Sequence, residues 1–290
     1  MNRIKAFTLI ELLVVVTIIA LLLALMAPAL EKAIESAERA VCAANQRTVV
    51  TASIMYAMEN RKDLIPCRGR EVEMSFTTMY YAAYSMRDGD QYVDWLKALS
   101  TVGLAESSPT IASDGIPHHV PGKMWFCPSA GYKGYWDPNF GQQYCTSTQY
   151  YGGIETWRSH LSGTSDSGIR SRSPVKLSSS KGDWVLTADR SILFSQSSVF
   201  TSGSNEWGDG ELPYYWAGNP NHKSAKGDRV IPAGNNQSYM DGSVGWVEGD
   251  QLINIHSYRD GGRQTGFFYQ KDLGDWTPPE AAYAREYFGQ

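Results

Sequence analysis

Residues 7–30 read FTLIELLVVVTIIALLLALMAPAL, an apolar stretch with a single charged side chain, Glu11. It follows a short basic segment, residues 1–6, and contains Pro28 near its end. A run of this length and composition can enter a bilayer as a helix. Because a carboxylate inside such a helix costs about 3 kcal/mol to insert, its charge needs a partner. We therefore expect Glu11 to have a function.

An ordinary secretory signal peptide is the main alternative for this N-terminus. Such a peptide also has a basic start, an apolar core and small residues near its cleavage site, here Ala27 and Ala29. The apolar run is long for that class, however, and Glu11 would fall inside the apolar core. An uncleaved signal anchor explains the length but not the carboxylate. We therefore predict that the apolar stretch is retained.

The basic start, the aromatic residue and the spacing of Glu11 and Pro28 resemble the N-terminus of type IV prepilins and type II secretion pseudopilins. The resemblance implies that prepilin peptidase cleaves between Ala6 and Phe7 and methylates the new amine. Glu11 is then the fifth mature residue, whose carboxylate pairs with the N-terminal amine of a neighbouring subunit. Pro28 lies where many of these helices bend. The family more often has Gly than Ala before the cut.

The helical pattern continues beyond Pro28 to about residue 60. Apolar and small residues recur at three- and four-residue steps, and Glu35 and Arg39 lie one turn apart, where they can pair. We predict one helix over residues 7–60, about 80 Å long at ~1.5 Å per residue. Its first part, 7–30, is apolar on all sides and its second part is amphipathic.

Residues 61–290 are predicted to form an exported globular head. The fold class is α+β: the long N-terminal helix packs on an antiparallel sheet with long loops. The expected elements are a helix over 92–104, a strand over 124–128, strands 183–188 and 191–194 in one sheet, and a hairpin over 237–247. We expect the hairpin to turn through a two-residue Asp241-Gly242 loop.

Charge and length restrict the functional classes. The net charge is −4 over 290 residues, and removal of Arg3 and Lys5 with the leader takes it to −6, so no nucleic-acid partner is expected. Arg3 and Lys5 precede the apolar segment, which places the N-terminus in the cytoplasm and the head outside the inner membrane.

The four cysteines are candidates for disulfides in an exported head, and four allow three full pairings. The sequence does not choose among them. No pair has C-x-x-C spacing, which argues against a structural zinc site. The four are Cys42, Cys67, Cys127 and Cys145.

Residues 219–247 resemble the C-terminal H-x9-DG domain of many prepilin-type proteins. The residues that carry this resemblance are His222, Asn236, Asp241, Gly242 and Trp246. The match is divergent, because eighteen residues separate the histidine from the aspartate instead of nine. An insertion around residues 226–233 would account for the difference.

Four polar residues of the head, Asp189, His222, Asn236 and Asp241, are candidates for a polar or metal site. The competing interpretation, which we favour, is that Asp241 caps a turn, Asn236 stabilises a loop and His222 is a surface residue. No cofactor is expected, although calcium is a candidate because some pseudopilins use it to stabilise a C-terminal loop. The acidic segments at 248–250 and 272–275 do not match an EF-hand.

The sequence gives no pattern for catalysis. It has no G-x-S-x-G motif, and His118-His119 lacks a helical H-E-x-x-H frame. We predict that the protein is not an enzyme.

The predicted function is structural: a subunit of a type IV pilus-like filament or a type II secretion pseudopilus. Its expected partners are copies of itself or related pilins, prepilin peptidase, the inner-membrane assembly platform and, before assembly, the membrane. The protein would span the inner membrane once, with its head in the periplasm, before it enters an extracellular filament or a periplasmic pseudopilus. The alternative is a membrane-anchored module that binds carbohydrate or protein through aromatic residues, such as those at 150–151 and 214–216.

Overall fold

A computed structural model of the chain forms the basis of the description. The structure describes residues 8–65, 78–80, 95–108, 110–111, 117–118, 120–130, 135–137, 143–154, 156–157, 169–194, 221–226, 229–258, 264–280 and 283–285.

The long helix is α1, Leu9–Glu59, and its 51 residues span about 75 Å. Thr8 caps its N-terminus in a capping box with Glu11, which satisfies the backbone N–H groups of both residues. Pro28 lies inside the helix without ending it. Among the described residues, α1 is the one helix long and apolar enough to cross a membrane. The predicted long N-terminal helix is confirmed.

A second, short helix, α2, spans Trp95–Thr101. It ends in a Schellman arrangement: Gly103 has a φ of +74°, and Leu104 N donates to Leu99 O at 2.9 Å. The predicted helix over 92–104 was therefore too long at its C-terminal end.

The strands are β1 Thr78–Tyr80, β2 Thr110–Ile111, β3 Pro117–His118, β4 Tyr135–Asp137, β5 Gln143–Cys145, β6 Thr148–Tyr150, β7 Thr156–Trp157, β8 Ile169–Arg170, β9 Val185–Asp189, β10 Ile192–Phe194, β11 His222–Lys226, β12 Arg229–Tyr239, β13 Val244–Glu248, β14 Ile253–Tyr258 and β15 Gln264–Phe268.

The principal sheet is antiparallel and is built around β12. Along one edge, β12 pairs with β13, while β11 and β9 pair with successive parts of its other edge. β6 extends the sheet beyond β9. The helix α1 packs across β12, β9 and β13. This layout confirms the predicted α+β fold with a long helix on an antiparallel sheet.

A second sheet has the order β10-β15-β14. The prediction that residues 191–194 continue the sheet of β9 was wrong, because β10 pairs with β15 instead. Arg190 and Ser191 interrupt the chain between β9 and β10, and both are buried. Three strands, β1-β5-β4, form another small sheet, and the pairs β2-β3 and β7-β8 are two-stranded.

The core lies between the second half of α1 and the principal sheet. Val49, Val50 and Ala57 are fully buried on the inner face of the helix. They belong to one apolar cluster with Tyr151 and Leu186 of the head. The amphipathic pattern of the helix thus identifies its packed face.

The predicted strand over 124–128 was wrong. The chain forms two short 3-10 turns instead, Lys123–Trp125 and Pro128–Ala130. Trp125 is buried and its Nε1 donates to Leu104 O at 2.9 Å, so the indole anchors this segment through tertiary contacts. A short apolar run followed by proline does not distinguish these outcomes.

The hairpin β12–β13 was predicted, but its turn type was not. Tyr239 N donates to Ser243 O at 3.0 Å, so three residues form the loop. Gly242 has a φ of +84°, whereas Asp241 is not among the described residues with positive φ. Gly242 N donates to Tyr239 O at 2.9 Å, so Met240 and Asp241 are the central residues of the turn and the left-handed Gly242 closes it.

Candidate functional site at the helix–sheet junction

The first half of α1 leaves its apolar surface uncovered. All residues from Leu9 to Ile34 are exposed, and Leu9 is 80% exposed. Between residues 9 and 30 the only charged side chain is that of Glu11. Exposure of an apolar surface of this extent indicates a face that a membrane or another protein covers.

The Glu11 carboxylate has local partners within its own chain. Thr8 donates to Oε2 through both its backbone N and its Oγ1, each at 2.8 Å. Both donor groups are neutral, so these hydrogen bonds offset only part of the free-energy cost of taking the carboxylate out of water. Ala6 and Phe7, the residues of the predicted processing site, lie outside the described residues.

A buried polar cluster lies where the second half of α1 crosses the sheet. Its centre is Asp189, the last residue of β9, which is 1% exposed. β11 pairs with β12 as far as Gly234 and β9 pairs from Gln237 onward. In the gap between them, Asn236 N and Nδ2 both donate to Asp189 Oδ2 at 2.8 Å. The carboxylate replaces the missing strand partner.

The helix contributes Gln46 to the same carboxylate. Gln46 Nε2 donates to Asp189 Oδ1 at 2.9 Å and to Asn236 O at 3.0 Å. Its Oε1 accepts from Thr187 Oγ1 at 3.0 Å. One buried amide therefore joins the helix to two strands of the principal sheet.

His222 lies between two carboxylates and is fully buried. Its Nε2 is 3.1 Å from Asp189 Oδ2, and its Nδ1 is 2.8 Å from Glu35 Oε1. Burial lowers the pKa of His222, but hydrogen bonds to Asp189 and Glu35 and the charges of these carboxylates outweigh that effect and raise it. The arrangement therefore favours the imidazolium with both nitrogens donating.

Residues 229–233, in the segment where an insertion would account for the longer spacing, lie in the β11–β12 hairpin, and His222 pairs with Gly234. A Cβ on Gly234 would clash with the Trp246 ring and with the Val247 carbonyl. The ring of Trp246 instead lies edge-on to the imidazole, with centroids 5.3 Å apart. The longer spacing is thus compatible with a buried position for the histidine.

The outer rim of the cluster is charged. Arg39 Nε donates to Glu35 Oε1 at 3.0 Å, as the one-turn spacing predicted. The Arg39 guanidinium lies 3.8 Å above the centroid of Trp246. Ser129 Oγ donates to Glu38 Oε2 at 2.6 Å. These contacts join α1 to β13 and to the turn that follows Cys127.

A disulfide borders the cluster. Cys42 of α1 is bonded to Cys127, with 5.2 Å between the Cα atoms. Cys127 Sγ lies 3.6 Å from His222 Nε2. Cys67 lies outside the described residues, and the side chain of Cys145 in β5 is outside them as well. The structure thus assigns one disulfide that the sequence left open.

Three of the four predicted site residues come together, namely Asp189, His222 and Asn236. Asp241 lies apart at the hairpin tip, where its Oδ1 accepts from Ser243 N at 2.8 Å. That is the turn-capping role of the favoured interpretation. Its assignment of His222 to the surface was wrong, because that side chain is fully buried between α1 and the sheet.

Glu35 and Gln46 were missed as members of the site. Gln46 could have been found, because it lies one turn from Cys42 and three residues before Val49, on the face that buries both. A long polar side chain on such a face indicates a buried partner.

Asp272 lies in one of the acidic segments considered for calcium, and its carboxylate already has protein partners. Its Oδ2 accepts from Lys181 Nζ at 2.6 Å and from Trp184 Nε1 at 2.9 Å. Hydrogen bonds from Lys181 and Trp184 lower the pKa of Asp272 to about 2. A carboxylate that already faces an ammonium is a poor ligand for calcium.

Two tyrosines considered for sugar binding, Tyr150 and Tyr151, are buried in the core. Their rings are therefore unavailable for stacking on a ligand. The aromatic residues at 214–216 lie outside the described part of the chain.

Comparison with known proteins gives one match, at the N-terminus. Residues 1–27 match the family described as the prokaryotic N-terminal methylation motif. No curated protein and no solved structure gives a significant match to the chain. The motif indicates a type IV pilin-like chain that prepilin peptidase processes, and pilin-type proteins are usually structural and not enzymes. Together with the long apolar helix, the motif supports the assignment of this chain to the pilin and pseudopilin family.

Proposed function

We propose that the protein is a non-enzymatic structural subunit of a type IV pilus-like filament or a secretion pseudopilus. The observation that carries the proposal is the contrast along α1: residues 9–34 are exposed, whereas the inner face from Cys42 to Ala57 is packed on the head. In a filament, neighbouring copies or related pilins would cover the exposed part. Before assembly, the inner membrane would cover it, with the head in the periplasm.

Glu11 supplies the register between subunits in this proposal. Cleavage before Phe7 would leave Thr8 as the second residue and create a methylated amine close to the helix start. The two Thr8 donors are neutral, so a cationic amine from a neighbouring subunit would stabilise the buried carboxylate further. The assembly platform would extract the helix from the membrane when that pair forms.

Processing is tested by mass spectrometry of the mature N-terminus. The proposal predicts that the chain begins with methylated Phe7. A chain that begins near residue 31 would have lost the apolar stretch, and assembly by this route would be excluded.

Assembly is tested with Glu11→Ala. We expect normal membrane insertion but strongly reduced incorporation into sheared filaments or membrane-extracted pseudopili. Glu31→Ala is the matched control, because Glu31 is an exposed carboxylate on the same helix outside the apolar stretch. Equal filament yield from Glu11→Ala and the wild type would contradict the proposal, and would favour a tethered binding module that does not polymerise.

A further inference from the structure

The disulfide and the polar cluster place four metal-binding groups around one point. Two sulfurs, one imidazole nitrogen and one carboxylate oxygen all lie within 4.8 Å of one another. All four residues are buried. The combination of two thiolates with imidazole and carboxylate suits zinc and related thiophilic cations.

We propose that the chain binds one such cation in this cluster when the Cys42–Cys127 disulfide is reduced, with Zn²⁺ as the representative ion. The four ligands are Cys42, Cys127, Asp189 and His222. The site depends on tertiary structure alone, because the four ligands are far apart in the sequence and no two of them form a short metal-binding motif. It is independent of whether the protein forms filaments.

The distances already approach those of a tetrahedral site. Zinc bonds of about 2.3 Å to sulfur and about 2.0–2.1 Å to nitrogen or oxygen imply edges of about 3.5 Å between S and N and about 3.3 Å between N and O. Cys127 Sγ is 3.6 Å from His222 Nε2, and that nitrogen is 3.1 Å from Asp189 Oδ2. The remaining distances among the four ligand atoms are at most 4.8 Å, and the two bonded sulfurs must separate to about 3.8 Å.

The surroundings hold the ligands in orientations that suit a metal. With Nε2 toward the site, His222 directs Nδ1 to Glu35 Oε1 at 2.8 Å, and a metal-bound histidine usually has such a carboxylate partner. Asp189 is fixed by Asn236 and Gln46. Binding requires a neutral imidazole, so zinc would replace the proton on Nε2.

The disulfide and the metal exclude each other. Reduction by a phosphine transfers two electrons to the sulfurs, which take up two protons, while the phosphine gains oxygen from water. Zinc then displaces both thiol protons and the Nε2 proton. A disulfide oxidant restores the oxidised chain. The two thiolates give it two electrons and re-form the Sγ–Sγ bond, and Zn²⁺ leaves. The oxidant takes up two protons from water and becomes a dithiol.

The test uses the full chain in detergent, reduced with a phosphine, desalted under argon and titrated with Zn²⁺ against a chromophoric chelator. A Cys67→Ser/Cys145→Ser background leaves only the two cluster cysteines. We expect one tightly bound Zn²⁺ per reduced chain, no tight binding to the oxidised chain, and thiolate-to-metal charge-transfer absorption when Co²⁺ replaces zinc. No binding to the reduced chain, or binding that Cys42→Ser leaves intact, would overturn the proposal.

Two further variants test the remaining ligands. Asp189→Asn should weaken zinc binding at least 100-fold, more than loss of a hydrogen-bond partner of a ligand does. Glu35→Gln should weaken it about 10- to 100-fold, whereas Glu38→Gln, which contacts Ser129 and not His222, should leave it unchanged. Equal effects of the two glutamate variants would refute the assigned orientation of the histidine.

A measurement on the unsubstituted chain avoids variants that fail to fold. Zinc should protect Cys42 and Cys127 of the reduced protein from alkylation, as read by peptide mass spectrometry. Alkylation of both at the same rate with and without zinc would overturn the site.

Discussion

The two halves of α1 belong to one continuous helix but obtain their stability from different sources. Residues 9–34 are exposed, whereas the half from Cys42 to Ala57 buries one face against the described head. The first half is apolar all round and needs an external partner; the second carries Gln46 and Cys42 to partners in its own chain. Continuity of a helix therefore does not imply a common function along its length.

Removal of the disulfide, which anchors the second half of α1, should have the largest effect on the stability of the head. Cys42→Ser/Cys127→Ser removes a cross-link over a sequence separation of 85 residues. We expect it to lower the free energy of unfolding of the oxidised head by about 4 kcal/mol, because the unfolded chain regains loop entropy. Urea unfolding followed by near-ultraviolet circular dichroism measures it. An effect below 1 kcal/mol would mean that the second half of the helix is held by packing alone.

Loss of the buried Asp189 carboxylate should have the second largest effect on the free energy of unfolding. Asp189→Ala leaves His222, Asn236 and Gln46 without their shared acceptor, and we expect it to lower the free energy of unfolding by about 3 kcal/mol. Asp241→Ala is the control, because that aspartate is exposed at the hairpin tip and accepts one local bond. Similar losses for the two variants in urea unfolding would contradict the central role of the cluster.

Substitution of one polar residue in each half of the helix measures how much each half contributes to the stability of the head. Gln46→Ala leaves Asp189 Oδ1 and Thr187 short of a partner in the core, which should cost about 2 kcal/mol. Thr17→Ala removes only an exposed bond to Val14 O, at 2.8 Å, and should change head stability by less than about 0.5 kcal/mol. Thermal unfolding of both variants in the same detergent measures the difference. Equal shifts would show that the halves are energetically coupled.

The smallest expected effect is that of Asp272→Asn, which should change how the stability of the head depends on pH. The pKa of Asp272 falls from 3.8 to about 2 on folding, so its contribution is fully present above pH 3.8 and is lost as the pH falls through about 2. Since Lys181 is mostly exposed and screened, we expect about 1 kcal/mol. Asp272→Asn should lose this amount at pH 6 and match the wild type near pH 2. A constant difference at every pH would exclude this titration as the cause.

Only some members of the buried polar cluster could be predicted from the sequence. His222, Asn236 and Asp241 were candidates because they carry the resemblance to the H-x9-DG domain, and Asp189 was added because of its residue type. The hairpin turn places Asp241 at the tip, while β9 ends beside the gap that Asn236 faces. Strand pairing between residues about fifty positions apart has no local signal, and the same is true of β10, which pairs with β15.

The N-terminal motif, the long helix and its change from apolar to amphipathic character can be predicted from the amino-acid sequence, because each depends on residues close together in the chain. The tertiary structure alone decided that Cys42 pairs with Cys127 and that Glu35, Asp189 and His222 meet. Such contacts depend on the register of the sheet and on where the helix crosses it. Long-range packing sets both, and no short stretch of sequence encodes it.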